Sequence, residues 1–137
     1  MEATPVRPLP GTPQTPLRRR RRWPWVLLLL IVAGVGGYTW FTLTWSYSEG
    51  ERVGVLQKLS RKGWLCKTYE GEIAMYVVGG IAPQIWDFTV RDPKVAESLN
   101  RSLGSRVRLH YDEHRGIPTS CFGDTGYFVD RGEAAPQ

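Results

Sequence analysis

DPKVAESLNRSLG, residues 92–104, is the stretch on which the fold turns. It reads as a helix with marked ends. Asp92 suits the N-cap, Pro93 the first helical position, and Gly104 a position past the last turn. Val95, Leu99 and Leu103 recur every four residues, with Ala96 beside them, and make one apolar stripe. Strand patterns lie on both sides. Residues 52–60 alternate, with Val53, Val55 and Leu59 on one face and Lys58 and Ser60 on the other. Residues 61–63 (RKG) are a turn signal, and residues 64–72 are rich in aromatic and β-tolerant residues, with Gly71 at a bulge or bend. Ile73, Met75 and Val77 continue with period two, before Gly79, Gly80 and Pro83 break the chain. Residues 85–90 put Trp86, Phe88 and Val90 on one side. After the helix, Val107, Leu109 and Tyr111 point one way and Arg106, Arg108 and His110 the other. Arg115, Gly116 and Pro118 make a turn, and residues 119–129 form a last strand. The order β-β-β-α-β-β predicts an OB-fold-like five-stranded barrel with its helix plugging one end. An SH3-like barrel and an open α+β sheet are the alternatives.

Upstream of this domain the chain changes character. No charged residue occurs from 23 to 48, and residues 25–45 would span ~30 Å as a helix, the hydrocarbon thickness of a bilayer. Trp23 and Trp25 mark one end, Trp40 and Trp45 the other, as indoles do at membrane interfaces. Gly34, Gly36 and Gly37 weaken a helix in water but are tolerated in lipid. The apolar run exceeds the usual signal-peptide core, and no small-x-small cleavage site follows it. The reading is a retained transmembrane helix over residues 23–46. Ala33 and Gly37 form a small-x-x-x-small pair through which two such helices could approach. Residues 1–22 carry five prolines before position 17 and the arginine run 18–22, and read as a disordered, basic, cytoplasmic tail. Residues 47–131 are then the periplasmic OB-like domain, and 132–137 a disordered tail.

The net charge of +5 belongs almost wholly to that leader. Residues 1–48 hold Arg7 and Arg18 to Arg22 against Glu2; residues 49–137 hold twelve basic and twelve acidic side chains. The folded domain is neutral overall. A basic footprint for nucleic acid is therefore missing from it, and the expectation is no nucleic-acid partner. The arginines instead hold the N-terminus in the cytoplasm and place residues 49–137 outside it.

The segments SEGERVGVLQKLSRKGWLCKTYEGEIAM (48–75), FTVRD (88–92), SLGSRVRLHY (102–111) and HRGIPTSCFGDTGYFV (114–129) resemble a family of short bacterial membrane-anchored proteins of unknown function. Members sometimes carry the name 6-phosphogluconate dehydrogenase, which the residues do not support. A dinucleotide site needs strand–GxGxxG–helix within a βαβ unit, and this chain has only VAGVGG, 32–37, inside its apolar span. The resemblance implies a bacterial inner-membrane protein and carries over no activity.

Candidate chemistry is sparse. Cys66 and Cys121 both fall in the external domain, where an oxidising periplasm favours a structural disulfide over two buried free thiols. A bond closing a loop of that size contributes on the order of 3–4 kcal/mol. No CxxC spacing suggests an oxidoreductase. His110, Asp112 and His114 share one face of an extended strand, and imidazole with carboxylate suits zinc or copper, with Cys121 as the nearest soft ligand. The plainer reading is a solvated strand end. Trp64, Tyr69 and Trp86, with Tyr111 and Phe122, could form a stacking surface, or simply fill a small core. No GxSxG elbow, paired-carboxylate spacing or phosphate loop is present.

These features point to a non-enzymatic, single-pass protein of the bacterial inner membrane, needing no cofactor. Its external domain would bind an envelope protein, a glycan or its own copies. A metal-binding or redox-linked envelope factor using His110, Asp112 and His114 is the alternative.

Overall fold

The computed structural model describes residue 11 and residues 22–76 and 82–136. The expectations for residues 1–10 and 12–21, for Val77 and for Gly79 and Gly80 lie outside the described residues. In chain order the elements are α1 (Trp23–Thr44), β1 (Ser48–Lys62), β2 (Thr68–Met75), β3 (Gln84–Val90), α2 (Pro93–Asn100), β4 (Arg106–Glu113) and β5 (Tyr127–Ala134). The strands close a barrel in the order β1-β2-β3-β5-β4, with β1 pairing both β2 and β4. All pairings are antiparallel except β3 with β5. A five-stranded closed barrel with one helix between its third and fourth strands is the OB-fold arrangement, and closure removes the open-sheet alternative.

Local chemistry sets α2. The Asp92 carboxylate accepts the Lys94 amide at 2.8 Å, and Pro93 occupies the first turn. Ala96 and Leu99 are buried, as the stripe predicts. The helix ends at Asn100, however, and Leu103 lies in the following turns, 42% exposed. Those turns close on Gly104, whose φ of +77° disfavours a side chain and whose amide donates to the Leu56 carbonyl at 2.8 Å.

The barrel interior holds Leu56, Ile73, Trp86, Phe88, Val90, Val107, Leu109 and Val129, with Ala96 and Leu99 of α2 closing one end. The alternation of β3 and β4 is as read from the sequence. That of β1 is not. The register shifts between Leu56 and Lys58, so Gln57 and Lys58 both face out. Before this bulge Gly54 and Leu56 point inward, and Val53 is exposed; after it Leu59 packs on the core. Arg52 also turns toward the interior. Its guanidinium lies over Trp86 at 4.8 Å, near Tyr111 and Tyr127, and Nη1 donates to Met75 Sδ at 3.8 Å. A charged side chain on the inner face, stacked on three rings, is what made Val53 and Val55 look like the core stripe.

The expected tail at 132–137 is corrected as well. β5 continues to Ala134, with Leu109 opposite Gly132 and Val107 opposite Ala134. The sequence there is polar because α2 supplies the apolar filling. A Cβ at Gly132 would collide with the Leu99 side chain.

α1 is long and apolar enough to cross a membrane, and nearly all of it is exposed. Its last turns touch the domain. The His114 imidazole N–H donates to the Thr42 carbonyl at 2.9 Å, and Tyr38 Oη donates to the Gly116 carbonyl at 3.0 Å.

Candidate functional site

Two loops define one side of the barrel. The β1–β2 loop spans residues 63–67 and the β4–β5 loop residues 114–126. Cys66 and Cys121 are bonded to each other, Cα to Cα 4.9 Å, and staple the loops together. In OB-folds these two loops frame the ligand-binding face.

Beneath the staple lies a buried carboxylate. Glu70 Oε1 accepts from Thr68 Oγ1 at 2.6 Å and from the Asp124 amide at 3.3 Å; Oε2 accepts from Thr89 Oγ1 at 2.7 Å. Thr89 Oγ1 in turn accepts the Thr125 amide at 3.3 Å. A buried charge is tolerated when its lone pairs are filled, and this one ties β2, β3 and the β4–β5 loop to one point. The loop itself curls around a hollow of about 370 Å³ lined by His114, Thr119, Ser120 and Asp124 among others.

Next to the staple a cleft of about 250 Å³ opens between the β1–β2 loop, the end of β3 and the start of α2. Its lining brings together Arg61, Lys67 and Arg91 with Tyr69 and Phe122, and it contains no acidic side chain. Arg61 lies over the Tyr69 ring at 5.7 Å, and Arg91 over Phe128 at 4.0 Å. Burial draws the Arg91 pKa below its ordinary value, only partly offset by the field of Asp112. Among the described residues none of the three cations is in an ion pair.

The residues singled out from sequence scatter. Trp86 is 93% buried, packed on Phe88, Tyr111 and Tyr127 in the core. Trp64 is fully exposed at the tip of the β1–β2 loop, and only Tyr69 lines the cleft. The three therefore form no common surface, because alternation turned Trp86 inward. His110, Asp112 and His114 are not gathered either. The His110 ring pairs with Asp130 at 2.7 Å, Asp112 accepts from Ser46 Oγ at 3.4 Å, and His114 lies beyond the strand, buried against Thr42 and Phe128. β4 ends at Glu113, so the expected alternation stops before His114. Among the described residues no group of three or more His, Cys, Asp or Glu is placed to hold a metal ion. Sequence reading missed Arg61, Lys67, Arg91 and Glu70. The first three were averaged away in a neutral net charge, and nothing in the local sequence marks Glu70 as buried.

The barrel is similar to a solved structure of the mitochondrial single-stranded DNA-binding protein Rim1 from S. cerevisiae, with a TM-score of 0.50 and 12% identity over 66% of this chain and 95% of that one. The shared feature is the fold. It corrects the expectation of no nucleic-acid partner: a barrel of this kind serves a single-stranded DNA-binding protein, and net charge is too coarse a measure to exclude that partner. No curated protein matches the chain. Residues 45–129 match a family described as Domain of unknown function (DUF8785), and the chain belongs to that family.

Proposed function

We propose that the protein is a non-enzymatic binding module of the bacterial cell envelope, held in the inner membrane by α1 with its barrel in the periplasm. The observation that carries this reading is the union of an apolar, bilayer-length helix with a barrel whose stapled loops frame an open cleft. The arginines at 18–22 keep the N-terminus cytoplasmic, and a disulfide suits an oxidising compartment. The partner in this reading is an envelope protein, a glycan or a second copy of the chain.

Two measurements test it. A reporter that is active only outside the cytoplasm, fused after Gln137, is expected to be active. Co-purification from membranes is expected to retain a specific partner with the whole chain and to lose it without residues 49–137. A reporter active only in the reducing interior, or a partner list unchanged by the truncation, overturns the proposal.

A second reading has its own support. The likeness to a single-stranded DNA-binding protein and the cation–aromatic lining of the cleft favour single-stranded nucleic acid on the same face. Fluorescence anisotropy of a labelled oligothymidylate tests it. Binding that weakens steeply with salt supports it, and no binding at low salt rejects it.

A further inference from the structure

We infer that the cleft between the β1–β2 loop, the end of β3 and the start of α2 is a subsite for one phosphate group carried on a ring, with Arg61, Lys67 and Arg91 holding the phosphate and Tyr69 and Phe122 contacting the ring. The inference rests on the reading of the stapled loops as the ligand face, and names the chemistry that face takes.

Three observations carry it. The cleft concentrates three cations in about 250 Å³ without an acidic lining side chain, in a domain that is neutral overall. Three cations elsewhere in the domain have carboxylate partners: Lys58 lies 2.9 Å from Glu72, Arg115 3.1 Å from Glu113 and Arg108 3.9 Å from Glu51. The cleft cations share one lining instead, two of them over aromatic rings. Second, the Arg91 guanidinium sits over the Phe128 ring at 4.0 Å, and burial lowers its pKa against the opposing field of Asp112. Burying a cation without full compensation by an anion is unfavourable, and a bound phosphate adds to what Asp112 supplies. Third, the site is braced. The Cys66–Cys121 bond stands beside Lys67 and Phe122, and Thr68 is held by Glu70. A rigid frame spares the entropy of assembling three long side chains around a ligand.

A phosphate is favoured over a carboxylate because three donors from three segments match its tetrahedral set of oxygens. The ring comes from the lining, since Tyr69 and Phe122 offer aromatic surface in the same cleft. Two sources share this chemistry, a nucleotide and a phosphorylated sugar.

The test uses the full chain in maltoside detergent at low salt, titrated by calorimetry with inorganic phosphate, glucose 1-phosphate and thymidine 5′-monophosphate. Both esters are expected to bind more tightly than inorganic phosphate, and the tighter of the two identifies the ring. Arg91→Gln and Lys67→Gln are each expected to weaken binding about tenfold or more. Lys67 is exposed, so its substitution leaves the fold intact and keeps the test decisive if Arg91→Gln perturbs packing on Phe128. Failure of both esters to bind, affinity no greater than that of inorganic phosphate, or binding unchanged in Lys67→Gln overturns the inference. Such a result alongside a partner retained by residues 49–137 leaves the binding-module reading standing; phosphate binding with a cytoplasmic reporter signal does the reverse.

Discussion

Gly71 illustrates how one residue decides packing. It was read as a bulge or bend, yet β2 runs through it in regular register, opposite Leu59 and Phe88. An added Cβ would collide with the Phe88 ring edge at Cζ, and that ring is fully buried. Gly71→Ala is therefore expected to destabilise the barrel by about 1–3 kcal/mol through overpacking, read as a lower denaturant midpoint at unchanged slope. His110 carries a charge-linked prediction. Its hydrogen bond to Asp130 raises its pKa above the ordinary 6.5, with Asp112 adding and Arg131 opposing. The protonated form is thus favoured in the folded state. The stabilisation is complete below the unfolded value and is lost as pH rises through the raised folded value. Replacing His110 by Asn should lower the melting temperature at about pH 5.5 and leave it nearly unchanged at about pH 9, and equal effects at both would contradict the assignment. The pairing itself was not legible, because Asp130 is the residue skipped where the β4–β5 register shifts.

At the scale of elements, the two loops and the strand ends beneath them act together. Glu70 gathers donors from β2, β3 and the β4–β5 loop, and the disulfide joins the loop tips above it. Glu70→Ala would leave Thr68, Thr89 and the Asp124 amide short of an acceptor. The expected loss is about 3 kcal/mol, with hydrogen-exchange protection falling first at the amides of Asp124 and Thr125. Reducing Cys66–Cys121 should cost about 3–4 kcal/mol in global stability, since the bond closes a loop of 55 residues' separation. Thermal melts with and without reductant check it. The elements themselves were largely readable. α2 announced itself through its cap and its stripe, and β3 and β4 through alternation. β1 was read on the wrong face because Gln57 bulges and Arg52 points inward, two events that leave no periodic trace.

For the molecule as a whole, the core belongs to the barrel and α2 and includes no side chain of α1. Contact between α1 and the domain runs through His114 to Thr42 and Gly116 to Tyr38. A chain lacking α1 and beginning at residue 46 is therefore expected to keep a cooperative melt and its strand-rich circular dichroism, with local loosening confined to residues 114–116. A non-cooperative melt would show that the helix is integral to the fold. The same division frames the proposed function: the helix sets where the barrel stands, and the barrel's stapled loops set what it meets.

By itself the sequence determined the apolar bilayer-length helix, the strand–helix order, and the inward faces of β3 and β4. All of these are local, carried by hydrophobic period, capping chemistry and chain length. Only the tertiary structure decided which polar residues meet. Arg61, Lys67 and Arg91 come from three separate segments, and His110, Asp112 and His114, close in sequence, part company where β4 ends. Barrel closure and the Cys66–Cys121 staple juxtapose residues distant along the chain, and no local pattern in the sequence encodes that juxtaposition.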